Sequence, residues 1–295
     1  MNIFNKNKLK IKYLGIYIKM EAIINDKRLT AIELEKEKMK VLMFKQGEQN
    51  LNTFVGNNLL YHFQMEELCK THRKNKKSLA EIYQDQTEIK KLEEQMEKRS
   101  RTGTYENKMF ECWRINNGSI TFFKMCNATY LYKKYEATKV LDFTAGWGGR
   151  MLGAINLGIA YTGIDTNTDL KPGYDKMMEM FECDNKYKML WESALEVDFS
   201  KLDYDFVLTS PPYEDIEIYS NMDYNGADWF YNEFLIKLID QARKYNKGRY
   251  TCINISPQMY KKLIDKYKYK QCDLTDDLKE QKNGKTPDNI YIWIN

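Results

Sequence analysis

The stretch Thr209-Ser210-Pro211-Pro212-Tyr213 carries the residue types best suited to chemistry in this chain. It follows Asp205-Phe206-Val207-Leu208, an apolar run that reads as a short buried strand. Two consecutive prolines donate no backbone hydrogen bond and hold φ fixed, so the strand must stop and leave a stiff turn with free carbonyls. Such a turn can accept from a planar NH2 group. Ser210 offers its hydroxyl oxygen, Pro211 its carbonyl, and Tyr213 a ring for a flat heterocycle to lie against. By itself the turn is equally compatible with an ordinary loop.

A second cluster changes that balance. Lys139-Val140-Leu141-Asp142-Phe143 reads as a strand, and Thr144-Ala145-Gly146-Trp147-Gly148-Gly149-Arg150 follows it directly before a helical stretch. Glycines there let the backbone approach a ligand without a Cβ in the way. The next strand, Ala160 to Asp165, ends on a carboxylate 23 residues after Asp142. In strand-helix-strand nucleotide sites that position accepts from both ribose hydroxyls. The glycine spacing does not match the Gly-x-Gly-x-x-Gly of dinucleotide folds.

Two kinds of pattern must position these loops. From residue 108 onward, strands alternate with helices, which argues for a parallel sheet. Predicted strands lie at 139–143, 160–165, 188–191, 205–209 and 249–255. Predicted helices lie at 122–134, 151–158, 174–183, 228–245 and 257–267. An antiparallel pair, 271–274 with 290–294, closes the chain through Gly284 to Asp288. Ahead of residue 108 the pattern is mostly helical. A strand or hairpin is expected over Lys8 to Ile18, a helix over 31–45 opened by the capping box Thr30/Glu33, a loop over 47–60 and a helix over 61–72. One longer helix starts at Ser78/Glu81 and carries the apolar stripe Leu79, Ile82, Tyr83, Ile89, Leu92 and Met96. Ser100 to Asn107 reads as a linker. The expected division is therefore 1–107 and 108–295.

Composition narrows the function. The chain has 295 residues, 43% of them hydrophobic, and a net charge of +4 that divides into +7 over residues 1–110 and −3 over the rest. An anionic partner would meet the basic front, where Lys70, Arg73, Lys74, Lys76 and Lys77 form a turn that is either a solvated bend or a phosphate contact. No apolar run approaches the roughly 20 residues of a membrane helix, and the first residues carry no signal-peptide core. A soluble, intracellular, cytoplasmic protein without membrane contact is expected. Six scattered cysteines and only two histidines favour neither a disulfide framework nor a metal site, and they leave no Ser-His-Asp or Cys-His relay.

Asp142 to Gly148 resembles the Asp-Pro-Phe-x-Gly-x-Gly motif of amino-group DNA methyltransferases, a branch of the class I S-adenosylmethionine-dependent enzymes. Phe143 stands here for the family's proline and Thr144 for its aromatic residue. Ser210-Pro211-Pro212-Tyr213 resembles that family's catalytic motif, (Asp/Asn/Ser)-Pro-Pro-(Tyr/Phe). The resemblance covers about residues 115–295. It implies a Rossmann-like methyltransferase fold: a mostly parallel seven-stranded sheet with an antiparallel C-terminal edge strand. It implies S-adenosylmethionine as cofactor, with Asp142, Thr144, Gly146 and Gly148 at its methionine end and Asp165 at the ribose. Ser193 either lies near the adenine or caps a helix. Ser210, Pro211, Pro212 and Tyr213 would direct methyl transfer to N4 of cytosine or N6 of adenine in DNA. Ser in the first motif position leans to cytosine.

Only 60 residues separate Gly149 from Ser210, so base recognition falls by elimination on the front half. Deletion of residues 1–105 is then expected to weaken DNA binding more than cofactor binding. An RNA base N-methyltransferase and a catalytically inactive cofactor or nucleic-acid binder are the alternatives.

Overall fold

The computed structural model describes residues 19–45, 53–99, 102–116, 120–213, 217–218, 225–278 and 289–295. The hairpin expected over 8–18, part of the loop over 47–60 and the turn Gly284 to Asp288 lie outside them.

The strands in chain order are β1 (His72–Arg73), β2 (Lys139–Asp142), β3 (Ala160–Ile164), β4 (Tyr187–Leu190), β5 (Phe206–Thr209), β6 (Glu217–Ile218), β7 (Tyr250–Ile255), β8 (Leu274–Asp276) and β9 (Asn289–Ile294). Seven of them form one sheet in the order β4-β3-β2-β5-β7-β9-β8. β4, β3, β2, β5 and β7 are parallel neighbours, and β9 runs antiparallel to both β7 and β8. This is the Rossmann-like methyltransferase arrangement, with a mostly helical region ahead of it. β1 and β6 make a separate antiparallel pair.

Alternation along the central strands builds two cores, because successive side chains leave a strand on opposite faces. Val140, Phe206, Leu208, Cys252, Ile290 and Ile292 join one apolar cluster. Their chain neighbours Leu141, Val207, Ile253, Tyr291 and Trp293 join the other. The second face is covered by the helical run from Ala227 to Tyr245 and by Pro257–Asp265, whose entry is set by Ser256 as N-cap and Pro257 in the first turn. The first face is covered by Met125–Lys134, Gly149–Leu157 and Lys171–Met180.

The front helices do not form a core of their own. Leu59, Leu60, Met65, Leu68, Tyr83, Phe110 and Trp113 belong to the same cluster as the first sheet face. A Cβ on Gly173 would collide with the Phe63 carbonyl, so the front helix Asn57–Lys70 and the helix Lys171–Met180 pack with their backbones in direct contact. Deleting residues 1–105 would therefore open the shared core, and loss of nucleic-acid binding in that truncation would not isolate a recognition surface. The helix Tyr105–Asn116 also starts inside the stretch expected as a linker and spans the joint expected at 107/108.

Other boundaries differ for local reasons. The single helix expected after Ser78 is two, Leu79–Tyr83 and Gln86–Glu97, because the Asp85 side chain accepts from the Thr87 N–H and starts a new helix. Both expected capping boxes, Thr30/Glu33 and Ser78/Glu81, are present. The helix expected from 122 begins at Met125, and Phe122 and Phe123 turn towards a cavity instead. No helix among the described residues is long and apolar enough to cross a membrane.

Candidate active site

The sheet order reverses direction between β2 and β5, and the carboxyl ends of the strands open there onto a cavity of about 590 Å³. Open α/β sheets hold ligands at such a switch point. Each strand sends one loop to the wall: Thr144 to Trp147 after β2, Asp165 to Asn167 after β3, Glu192 to Glu196 after β4, and Ser210 to Tyr213 after β5. Asn254, near the end of β7, completes it. Of the residues singled out in the sequence, Thr144, Gly146, Asp165, Ser193, Ser210, Pro211, Pro212 and Tyr213 line this one cavity. Asp142 and Gly148 do not.

Asp142 lies behind the wall because its carboxylate is engaged inside the protein. It has no exposed surface, and Oδ2 accepts from Arg150 Nε at 2.6 Å and from the Tyr161 hydroxyl at 2.7 Å. Oδ1 accepts from Thr209 Oγ1 at 2.9 Å. Thr209 Oγ1 in turn accepts from the Thr144 N–H at 3.1 Å. The Thr209 proton is spent on Asp142, so in the contact between the Thr144 and Thr209 hydroxyls Thr144 is the donor. Arg150 also donates to the Thr144 carbonyl. Burial opposes the charge of Arg150 and is the largest single influence on it, but Asp142 together with Tyr161 and Tyr132 outweighs burial and the net shift is upward. Burial pushes the Tyr161 phenol well up, so it remains a neutral donor. One buried network thus joins the loop after β2 to the end of β5, the two loops on which chemistry was expected.

The loop after β2 is shaped from both sides. Gly146 and Gly148 hold φ of +56° and +97°, the left-handed region open to glycine. The Tyr174 hydroxyl donates to the Gly146 carbonyl at 3.0 Å. The Gly146 N–H donates to Asp165 Oδ2 at 2.7 Å, and the Asn167 N–H to Asp165 Oδ1 at 2.9 Å. A carboxylate has about four acceptor sites, so Asp165 keeps roughly two for a ligand. Burial raises its pKa, against the lowering effect of those two N–H bonds. Asn167 also donates to Glu67 at 2.8 Å, which ties the Asp165 loop to the front helix Asn57–Lys70. Ser193 is on the wall, and its hydroxyl accepts from the Leu195 N–H at 3.3 Å in a local turn; it does not cap a helix, since none begins between Leu190 and Phe199.

At the other end of the cavity, the Ser210 hydroxyl lies 3.2 Å from Asn254 Oδ1. Tyr213 lines the same space, together with Trp229 and Phe234. These two rings stack, with centroids 6.1 Å apart and planes at 21°, because the helix they share becomes a π-helix over Phe230–Ile236. Residues five apart diverge on an α-helix but come onto one side in the wider π turn. Phe122, Phe123 and Trp147 supply aromatic surface beside Thr144, where the resembled motif has its own aromatic residue.

Sequence reasoning missed Thr209, Arg150, Trp229, Phe234 and Asn254 as parts of this site. Thr209 and Arg150 were inside the quoted motifs and carried a signal, since a hydroxyl at a strand end and an arginine after a glycine loop both need partners. Nothing local distinguishes Asn254.

No family model matches the chain, and no curated protein matches it by sequence. Among solved structures, the chain is similar to the SAM-dependent methyltransferase NGO1261 from Neisseria gonorrhoeae, at 14% identity over 60% of this chain and 76% of that one, with a TM-score of 0.38. It is also similar to an rRNA methylase from Streptococcus thermophilus, at 10% identity over 59% of this chain and 97% of that one, with a TM-score of 0.40.

Proposed function

We propose that the protein is an S-adenosylmethionine-dependent methyltransferase acting on an exocyclic amine of a base in DNA, N4 of cytosine or N6 of adenine. The observation that carries this reading is the single cavity whose wall joins Gly146 and Asp165 to Ser210-Pro211-Pro212-Tyr213. Its volume suits a ligand of that size. The donor set fits the cofactor. Asp165 keeps acceptor sites for a ribose diol, the backbone at Gly146 is accessible, and Lys124 and Asn127 bring polar groups to the same wall for an amino-acid end.

When bound, S-adenosylmethionine supplies an electrophilic methyl group on a sulfonium. The chain's own residues then have to position the acceptor. An aromatic amine is a poor nucleophile because its lone pair is delocalised into the ring. Ser210 Oγ and the Pro211 carbonyl accept its two N–H bonds, which favours a pyramidal nitrogen with its lone pair free. Tyr213, Trp229 and Phe234 give the ring a surface to lie on. Catalysis is then chiefly orientation, and no nucleophilic cysteine is needed. The base must leave its duplex at a cost of a few kcal/mol.

Region 1–107 is assigned the nucleic-acid face, in the cytoplasm where DNA is met. The basic turn at 70–77 supports this. β1 in that turn pairs with β6, which begins four residues past Tyr213, so the cations are tied close to the exit of the motif. Lys70 pairs with Glu67 at 3.6 Å and with Asp169 at 3.9 Å, and Lys77 with Glu88 at 3.4 Å. Glu67 is buried and keeps its pair with Lys70 partly shielded, whereas the Lys70–Asp169 pair is exposed on both sides, contributes little and yields readily to phosphate. Lys74→Glu combined with Lys76→Glu is expected to lower DNA affinity and to reduce the slope of log K against log salt by about two. Cofactor titration should be unchanged. Fluorescence anisotropy across a salt series measures both effects, and an unaltered salt slope removes the turn from the interface.

Asp165 makes cofactor affinity sensitive to acid. Two ribose hydroxyls need an ionised acceptor, and burial raises the pKa of this carboxyl. As pH falls, Asp165 takes up a proton earlier than an exposed aspartate would, and affinity for S-adenosylmethionine is expected to fall with it. Calorimetric titration over pH 4 to 8 should show the dependence in the wild type and lose it in Asp165→Asn. The activity itself is tested by mass spectrometry of nucleosides from DNA and RNA incubated with labelled cofactor. Label in RNA alone moves the acceptor to RNA. Cofactor binding without label in either makes the protein an inactive binder.

A further inference from the structure

We propose that Asn254 is a positioning residue that fixes the Ser210 hydroxyl as an acceptor for the incoming amine; this rests on the methyltransferase reading above. A hydroxyl has one proton and two lone pairs, and it can accept from an N–H only when its own proton points elsewhere. An aspartate in the same motif position would accept from any side. A serine there has to be oriented, and the structure contains the group that does it.

Ser210 Oγ lies 3.2 Å from Asn254 Oδ1. Which end of the amide faces Ser210 is decided on its far side, where Asn254 Nδ2 lies 3.3 Å from the Asn289 carbonyl. That carbonyl can only accept, so the NH2 must face it. An inverted amide would set oxygen against oxygen there. Oδ1 is therefore the atom presented to Ser210, and Ser210 must be the donor. Its lone pairs are left facing the cavity, where the amine arrives. Asn254 is 7% exposed and sits on β7, paired along its length with β9, so the orienting group stands on a rigid strand.

The test separates orientation from packing. Asn254→Ala removes the acceptor for Ser210 and the bond to Asn289. Asn254→Asp keeps a carboxylate oxygen for Ser210 but turns its other oxygen onto the Asn289 carbonyl, so it keeps the first function and loses the second. Melting temperature is expected to fall in both variants. The kcat for methyl transfer is expected to fall about tenfold in Asn254→Ala, the order of one lost orienting hydrogen bond. It should stay within about threefold of wild type in Asn254→Asp, with KM for DNA and cofactor affinity unchanged in both. In a Ser210→Ala background, Asn254→Ala should cost nothing further, because the hydroxyl it orients is gone.

An equal loss of kcat in both Asn254 variants, following melting temperature, overturns the proposal. So does an undiminished loss in the Ser210→Ala background. Both outcomes leave the methyltransferase reading standing. A wild-type protein that transfers no methyl group removes that reading and this one together.

Discussion

Asp142→Ala is expected to destabilise the protein by about 3–5 kcal/mol, the cost of stripping one partner from a buried ion pair. That is a large share of the roughly 5–15 kcal/mol that holds a domain together. Arg150 is 5% exposed at its side chain and Asp142 0%, so water cannot take over the guanidinium. The Tyr161 and Thr209 hydroxyls lose their acceptor at the same moment, and each buried orphan costs more than an ordinary hydrogen bond contributes. The loss is measurable as a lower midpoint in urea.

A control shows that the charge, not the space, is responsible. Asp142→Leu combined with Arg150→Met replaces both ions by apolar groups and should recover the part of the loss that comes from the unpaired guanidinium, while the Tyr161 and Thr209 hydroxyls still lack their acceptor and keep the double variant below wild type. The double variant should still bind S-adenosylmethionine weakly, because the Thr144 carbonyl has lost its tie to Arg150 and the loop after β2 is held less firmly. If Asp142 instead acted on the cofactor directly, the single variant would lose affinity and keep its stability. Unchanged stability in Asp142→Ala removes the buried network from this account.

The same residue shows how far the sequence could be read. An aspartate at the end of a first strand before glycines points to a ligand loop, and the structure puts the loop after β2 on the cavity wall. What cannot be read locally is that the carboxylate points inward, since its partners come from Arg150 on the helix after the loop and from Tyr161 and Thr209, brought there by parallel pairing of β2 with β3 and β5. The strands themselves were legible because buried parallel strands leave short apolar runs between turn residues. The front half was legible as helices but not as part of the main core, because an apolar stripe does not reveal what it packs against. The break at Asp85 could have been seen, since aspartate before Gln-Thr-Glu is itself a cap signal. The π-helix had no such signal; aromatic residues at 229, 230, 231 and 234 also suit an ordinary buried helix.

Ser210→Ala should show the opposite profile from Asp142→Ala, with stability near wild type and turnover lost. The hydroxyl is half-buried and outside the ion network, and the only described partner it leaves behind is Asn254 Oδ1, which faces a cavity large enough for water. Folding therefore loses little. The proposed transfer loses one of the two acceptors assigned to the amine. Removing a single aligned group of this kind commonly costs about 10²–10³ in kcat, and a fall of about 100-fold is expected, with cofactor affinity unchanged because Asp165 and Gly146 are untouched.

If the acceptor is a DNA base as proposed, Tyr213→Ala should instead raise KM for DNA, since the ring would supply surface to the base rather than contact with the reacting nitrogen. Single-turnover rates at saturating cofactor separate the two effects. Wild-type turnover in Ser210→Ala would mean that the turn after β5 is scaffolding. The cavity would then need another acceptor for the amine, and Asn254 Oδ1, freed from Ser210 and still on the wall, is the group the geometry would leave for that task.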